Sequence, residues 1–123
     1  KLAAPSRTVV AVTGDGDFLM TGQELATAAQ YGAPIIVLVV NNGMYGTIRM
    51  HQEREYPGRI SGTELQNPDF AAYARAFGGH GEVVETTGQF APAFERARAS
   101  GKPALVNVLT DPDVVYPRRA NLA

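Results

Sequence analysis

Two short runs of branched apolar residues, Val9-Val10-Ala11-Val12 and Ile35-Ile36-Val37-Leu38-Val39-Val40, restrict what this chain can fold into more than any other feature. Both are rich in β-branched residues and bounded by Gly, Pro or Asn, which reads as strands buried on both faces of a parallel sheet. Between them, Thr21 to Tyr31 carries helix signals. Thr21-x-x-Glu24 has the form of a capping box, and Leu25, Ala28 and Ala29 set an i, i+3, i+4 apolar stripe. Gly32 and Pro34 then stop the helix. Capping explains Glu24 more simply than a role as a catalytic acid. The unit is therefore strand–helix–strand, and a right-handed crossover puts both strand ends at one sheet edge. Open α/β sheets bind their ligands at that edge.

Each strand empties into a polar loop containing glycine: Thr13-Gly14-Asp15-Gly16-Asp17 and Asn41-Asn42-Gly43. Asp15 offers a carboxylate, Asn41 and Asn42 offer amide oxygens, and the loop carbonyls add more. Hard oxygen donors without His or Cys suit Mg²⁺ or Ca²⁺ and suit Zn²⁺ or copper poorly. Glycines on both sides of Asp15 let the backbone approach a bulky anion. Mg²⁺ takes few protein ligands and fills its shell from phosphate and water. Such a pair of loops therefore suits a Mg²⁺-bridged diphosphate. Asp17 has two readings. Its carboxylate sits near the anion, where like charges repel, or it caps a turn or helix while its backbone N–H faces the phosphate.

Gly14-Asp15-Gly16, followed by Asn41-Asn42 with Asn42 27 positions after Asp15, resembles the cofactor motif of the acetolactate synthase and pyruvate decarboxylase superfamily of thiamin-diphosphate enzymes. The surrounding text, GDGDFLMTGQEL and NNGMYGTIR, is closest to acetolactate-synthase-like members. Carried across by position, the resemblance implies Mg²⁺ bound by Asp15, Asn42 and the main-chain carbonyl of Met44. Two diphosphate oxygens and a water would complete the six-fold shell. It also implies that Gly14, Gly16, Asp17 and Phe18, with Met44, Tyr45, Gly46, Thr47 and Ile48 of the second loop, line the diphosphate. The chemistry implied is attack of the thiazolium C2 carbanion on a 2-oxo acid, loss of CO₂ and transfer of the acyl unit. The cofactor carries that chemistry, while a domain of this kind holds its anionic tail. The same resemblance implies a pyrimidine-binding domain with an activating glutamate, supplied by another subunit of a homodimer or homotetramer. No residue of this chain takes that role, so no catalytic residue is assigned here.

Composition narrows the remaining classes. At 123 residues, 45% hydrophobic and 19% charged, the chain reads as a single α/β unit spanning 1–123. A net charge of −1 argues against nucleic acid or an anionic membrane as the main partner. The absence of cysteine excludes disulfides, a thiolate nucleophile and sulfur metal sites, and fits a cytoplasmic protein. The longest apolar run is far short of the ~20 residues that cross a bilayer. The chain opens on Lys1 and reaches its first strand at once. The resembled domain carries an earlier strand and a Gly-rich helix. The expectation is an N-terminally truncated fragment of a longer chain, inactive on its own.

Further along, Met44 to Arg59 is polar and mixed in charge and reads as a short helix followed by a loop at Pro57-Gly58. It is either a solvated or interface surface or a mobile flap over a ligand. His51 lacks a visible partner and reads as incidental, and His80 as structural. Asn67-Pro68-Asp69-Phe70 predicts a helix capped at Asn67, with Phe70, Tyr73, Ala74 and Phe77 as a core stripe and Gly78-Gly79 as its end. A short strand is expected near Glu82 to Glu85. Thr86-x-x-Gln89 then opens a helix with Pro92 in about its first turn and Phe90, Ala93, Phe94 and Ala97 facing the core. Arg96, Arg98 and Lys102 complement its dipole. Pro103 to Leu109 reads as a buried strand. Asp113 to Ala123 shows no period and is expected to lie on another part of the parent protein, with Arg118 and Arg119 exposed.

The predicted order β-α-β-loop-α-β-α-β gives a doubly wound, mostly parallel α/β sheet with helices on both faces. Three other functional readings stay open. A dinucleotide-binding dehydrogenase would need a third glycine where Leu19 stands, and Asp15 would repel a pyrophosphate that lacked a metal. A non-catalytic thiamin-diphosphate-binding module is the second. A plain α/β scaffold is the third, and it leaves the two paired loops unexplained.

Overall fold

A computed structural model describes residues 1–114. The first strand, β1, is Val10–Gly14; α1 (Asp15–Thr21) follows with no intervening loop, then a 3₁₀ turn (Gly22–Glu24), α2 (Leu25–Gln30) and β2 (Ile36–Asn41). After these come α3 (Gly46–Glu55), α4 (Phe70–Ala76), β3 (His80–Val84), α5 (Thr87–Ala99) and β4 (Ala104–Leu109). All neighbouring strands are parallel, in the order β1-β2-β4-β3. This is the doubly wound α/β architecture that the sequence predicts. Among the described residues no helix is long and apolar enough to cross a membrane.

Alternating side chains of the central strands feed two cores, as the pleat requires. On one face Val37, Val39 and Leu105 pack with Phe18 of α1, Leu25 of α2, and Phe70 and Ala74 of α4. On the other, Ile36, Val84, Ala104 and Val106 pack with Ala93 and Ala97 of α5. Strand β1 departs from expectation. It is an edge strand, and the core beneath α5 draws on β2, β3 and β4 only. Val10 and Val12 are consequently 39% and 69% exposed, so β1 is not buried on both faces.

The first helix also differs from the reading of Thr21 to Tyr31 as one segment. Helix starts at Asp15 itself and breaks at Gly22, where an added Cβ would lie 2.7 Å from Cε1 of Phe18. The ring of Phe18, turned into the core, needs that space. Thr21 therefore caps nothing, and Glu24 instead accepts a hydrogen bond from Thr27 Oγ1 at 2.7 Å. Leu25 and Ala28 are buried as predicted, and Gly32, at φ +57°, ends the helix.

Further corrections are local. Helix α4 is capped by Asp69, whose carboxylate accepts from the Ala72 N–H at 2.9 Å, and not by Asn67. Strand β3 begins at His80, two residues ahead of the expected Glu82, and ends before Glu85. The Thr86–Gln89 capping box forms, but Pro92 sits inside α5, beyond its first turn, and Phe90 is exposed at 36%. Arg96 and Arg98 pair with Glu82 and Glu95. Helix α3 falls where expected and buries none of its residues. Of the C-terminal segment, Val114 lies against a cleft of this domain and not away from it, and the expectations for Val115 to Ala123, Arg118 and Arg119 included, lie outside the described residues.

Candidate functional site

The register sets the site. Gly14 pairs with Val40 and Asn41 with Leu109, so β1 and β2 end side by side, and the start of α1 lies level with the loop after β2. The stretch Thr13 to Asp17, expected as a loop, is the end of β1 and the first turn of α1. Asp15, the residue after β1, is only 3% exposed, and both of its oxygens are occupied. Oδ1 accepts from its neighbour Gly16 N–H at 3.0 Å, and Oδ2 from Gly43 N–H of the second loop at 2.9 Å. The amide of Asn67 donates to the same Oδ2 at 2.7 Å and to Asn41 Oδ1 at 2.9 Å. Gly43 N–H is shared with Asn41 Oδ1 at 3.1 Å. Gly43 holds φ +71°, a backbone conformation favoured only by glycine, and this turn aims its N–H back at β1.

The second loop is braced from outside. Tyr45 N–H donates to Thr63 O and Leu65 N–H to Gly43 O, each at 2.8 Å, around an antiparallel bridge between Met44 and Glu64. Asn42 Oδ1 accepts from Met44 N–H at 3.1 Å, and the Met44 carbonyl accepts from Gly46 N–H at 3.0 Å. The start of α1 and the second loop enclose a cleft of about 330 Å³. Of the residues expected on its wall, Gly14, Asp15, Gly16, Asp17, Asn42, Met44, Tyr45, Gly46, Thr47 and Ile48 all line it. Phe18 does not. It is 7% exposed and packs edge-on against Phe70 and Tyr73, with centroids 5.3 and 6.0 Å away. Val40 and Val114 complete the wall.

The starts of α1 and α3 both contribute to this cleft, and neither has a side-chain cap. Uncapped first turns present N–H groups and the positive end of the helix dipole, which attract anions. The side chains oppose that attraction: among the described residues, Asp15 and Asp17 are the charged ones on the wall, and no Lys, Arg or His lines it. A cation would offset the repulsion between these carboxylates and an entering polyanion. Among the described residues no three His, Cys, Asp or Glu side chains gather to hold a metal. Oxygens of other kinds stand beside Asp15 on the wall, in the Asn42 amide and the Met44 main chain.

Residues 1–108 match the family described as "Thiamine pyrophosphate enzyme, C-terminal TPP binding domain". The chain belongs to this family. It is 43% identical over all of its 123 residues to an acetolactate synthase large subunit of Mycobacterium tuberculosis, and 38% identical over 120 residues to one of Haemophilus influenzae. It covers 22% and 21% of those proteins, so it spans about a fifth of the length of the relatives it matches. A thiamine diphosphate-dependent 4-hydroxybenzoylformate decarboxylase from Rhodococcus jostii has the same fold, with a TM-score of 0.82 and 34% identity over 89% of this chain and 21% of that one.

Within the family domain, Asn67 is the site residue that sequence reasoning missed. Asn67-Pro68-Asp69 offers two capping residues for one helix, and only one of them can serve. That surplus was the available signal. The Oδ1 of Asn41, an amide that the sequence offers as a metal oxygen, accepts from Gly43 N–H and Asn67 Nδ2.

Proposed function

We propose that this domain holds the diphosphate end of thiamin diphosphate through a magnesium ion, within a longer enzyme that acts on a 2-oxo acid in the manner of acetolactate synthase. The observation that carries this reading is the buried carboxylate of Asp15, tied to the second loop through Gly43, in an acidic cleft flanked by two uncapped helix starts. Asp15, Asn42 and the Met44 carbonyl are the oxygens that would hold the ion, a set suited to Mg²⁺. The N–H groups at the start of α3 would face the phosphates. Bound thiamin diphosphate supplies the carbanion chemistry that decarboxylates a 2-oxo acid and passes on its acyl unit. The remaining domains of the parent chain, among them a pyrimidine-binding domain in a homodimer or homotetramer, complete the active site in this reading.

The test is thiamin diphosphate binding by the intact protein, followed by calorimetry with and without Mg²⁺. EDTA is expected to abolish binding, and Asp15→Ala and Asn42→Ala to weaken it by about 10- to 100-fold or more. His51→Ala, on the outer surface of α3, leaves it unchanged. Binding that survives EDTA undiminished overturns the metal bridge. Binding without turnover of pyruvate or another 2-oxo acid would identify a non-catalytic module.

A further inference from the structure

We propose that Asn67 is a positioning residue that fixes the carboxylate of Asp15 for its metal, an inference that rests on the reading of Asp15 as a metal ligand. Asn67 lies 52 positions from Asp15 in the chain. Its place is nonetheless fixed from both sides. Upstream, Thr63 to Leu65 is bonded to the second loop; downstream, Asp69 caps α4. With capping done by Asp69, the side chain of Asn67 has no local task.

Its amide orientation is dictated by its partners. The NH₂ group faces two acceptors, Asp15 Oδ2 at 2.7 Å and Asn41 Oδ1 at 2.9 Å. A flipped amide would set oxygen against both. The observed orientation spends both hydrogens and leaves Asn67 Oδ1 buried with no donor among the described residues. An orphaned buried acceptor lowers stability, so the fold alone is a poor reason to keep this side chain. What it does achieve is local. Asp15 Oδ2 is pinned by two donors and Oδ1 by a third, so the carboxylate cannot rotate, and the tips of β1 and β2 are locked together at the cleft. Donors of this kind orient metal ligands and sustain metal affinity.

The experiment measures the Mg²⁺ concentration for half-maximal thiamin diphosphate binding in the intact protein, alongside thermal unfolding of the metal-free form. Asn67→Ala is expected to raise that concentration by about 10- to 100-fold, while binding at saturating Mg²⁺ stays near normal. A purely structural role would instead lower the unfolding temperature of the metal-free form and leave the Mg²⁺ requirement unchanged. The proposal is overturned if the Mg²⁺ requirement of Asn67→Ala stays within about twofold of wild type. Asp15→Ala separates the two levels. If it too leaves the Mg²⁺ requirement intact, the metal reading itself has failed; if it alone abolishes binding, only the role of Asn67 has.

Discussion

Gly16 and Tyr45 stand so close that a β-carbon on Gly16 would lie 2.5 Å from Cε1 of the tyrosine ring. One is the second residue of α1 and the other precedes α3, and both line the cleft. The contact thus sets the spacing of the two helix starts. Tyr45 is 39% exposed and can swing aside, so Gly16→Ala should fold with little loss of stability. Tyr45 lines the cleft, so a displaced ring changes the shape of its wall. Thiamin diphosphate affinity is expected to drop by about tenfold or more, and Tyr45→Ala in the same chain should restore part of it, because contacting residues couple. Calorimetric titration of both variants checks this. Two losses that simply add would show that the contact does not shape the site.

Gly46 carries a different constraint on the same loop. A β-carbon there would lie 2.8 Å from Nδ2 of Asn42. Gly46 starts α3, where replacing glycine by alanine favours the helix by up to about 1 kcal/mol. Gly46→Ala should therefore unfold at an equal or higher temperature, yet force the Asn42 amide away from its bond to Met44 N–H. The expected outcome is opposite signs in two measurements. Stability holds or rises, and the Mg²⁺ requirement for cofactor binding rises by about 10-fold or more. A variant with normal Mg²⁺ dependence would remove Asn42 from the metal's ligands.

The sheet and the turn after β2 were legible because they depend on short-range pattern, whereas the stretch Thr13 to Asp17, expected as a loop, is the end of β1 and the first turn of α1. Val37 and Val39 alternate with Ile36 along one strand, and Gly43 follows two asparagines in a turn that only glycine makes easily. What escaped was set by distant partners. The capping box at Thr21 and Glu24 is a correct local signal that loses to Phe18, whose ring sits against Gly22. The exposure of Val10 and Val12 follows from the position of β1 at the sheet edge, which no window around those residues encodes. Asn67 fits the local pattern of a cap, yet its bonds run to Asp15 and Asn41 across the fold. Periodicity reads burial along one element; it cannot read which of two equivalent polar residues a distant carboxylate will claim.

Phe18 separates core from site. It stands three residues after Asp15, and the family resemblance set it beside the diphosphate, whereas its ring makes edge-to-face contacts with Phe70 and Tyr73. Phe18→Leu keeps an apolar side chain and loses those contacts, which are each worth about 0.5–1.5 kcal/mol. Chemical denaturation should show a loss of about 1–2 kcal/mol, while thiamin diphosphate binding by the folded protein is unchanged. A variant with normal stability and weakened binding would return Phe18 to the cofactor.

Glu82 provides the pH-dependent prediction. It lies on the edge strand β3, and Arg96 of α5 grips both of its oxygens, with contacts between 2.6 and 3.2 Å. The Arg96 guanidinium holds the Glu82 carboxyl below the usual glutamate range, against the opposing effect of partial burial, and His80 at 2.7 Å adds to the lowering. A carboxyl whose folded value is lowered contributes stability that is complete above the unfolded value and disappears as pH falls through the folded one. Arg96→Gln should therefore unfold at a lower temperature than the wild type near neutral pH. The two curves should converge in acid, below the ordinary glutamate range, where Glu82 is protonated in both. Arg96 is largely exposed, so raising the salt concentration should also narrow the gap. Unfolding temperatures measured across pH for the two proteins decide the matter, and a gap that stays constant into acid would show that Arg96 acts through packing of its stem and not through its charge.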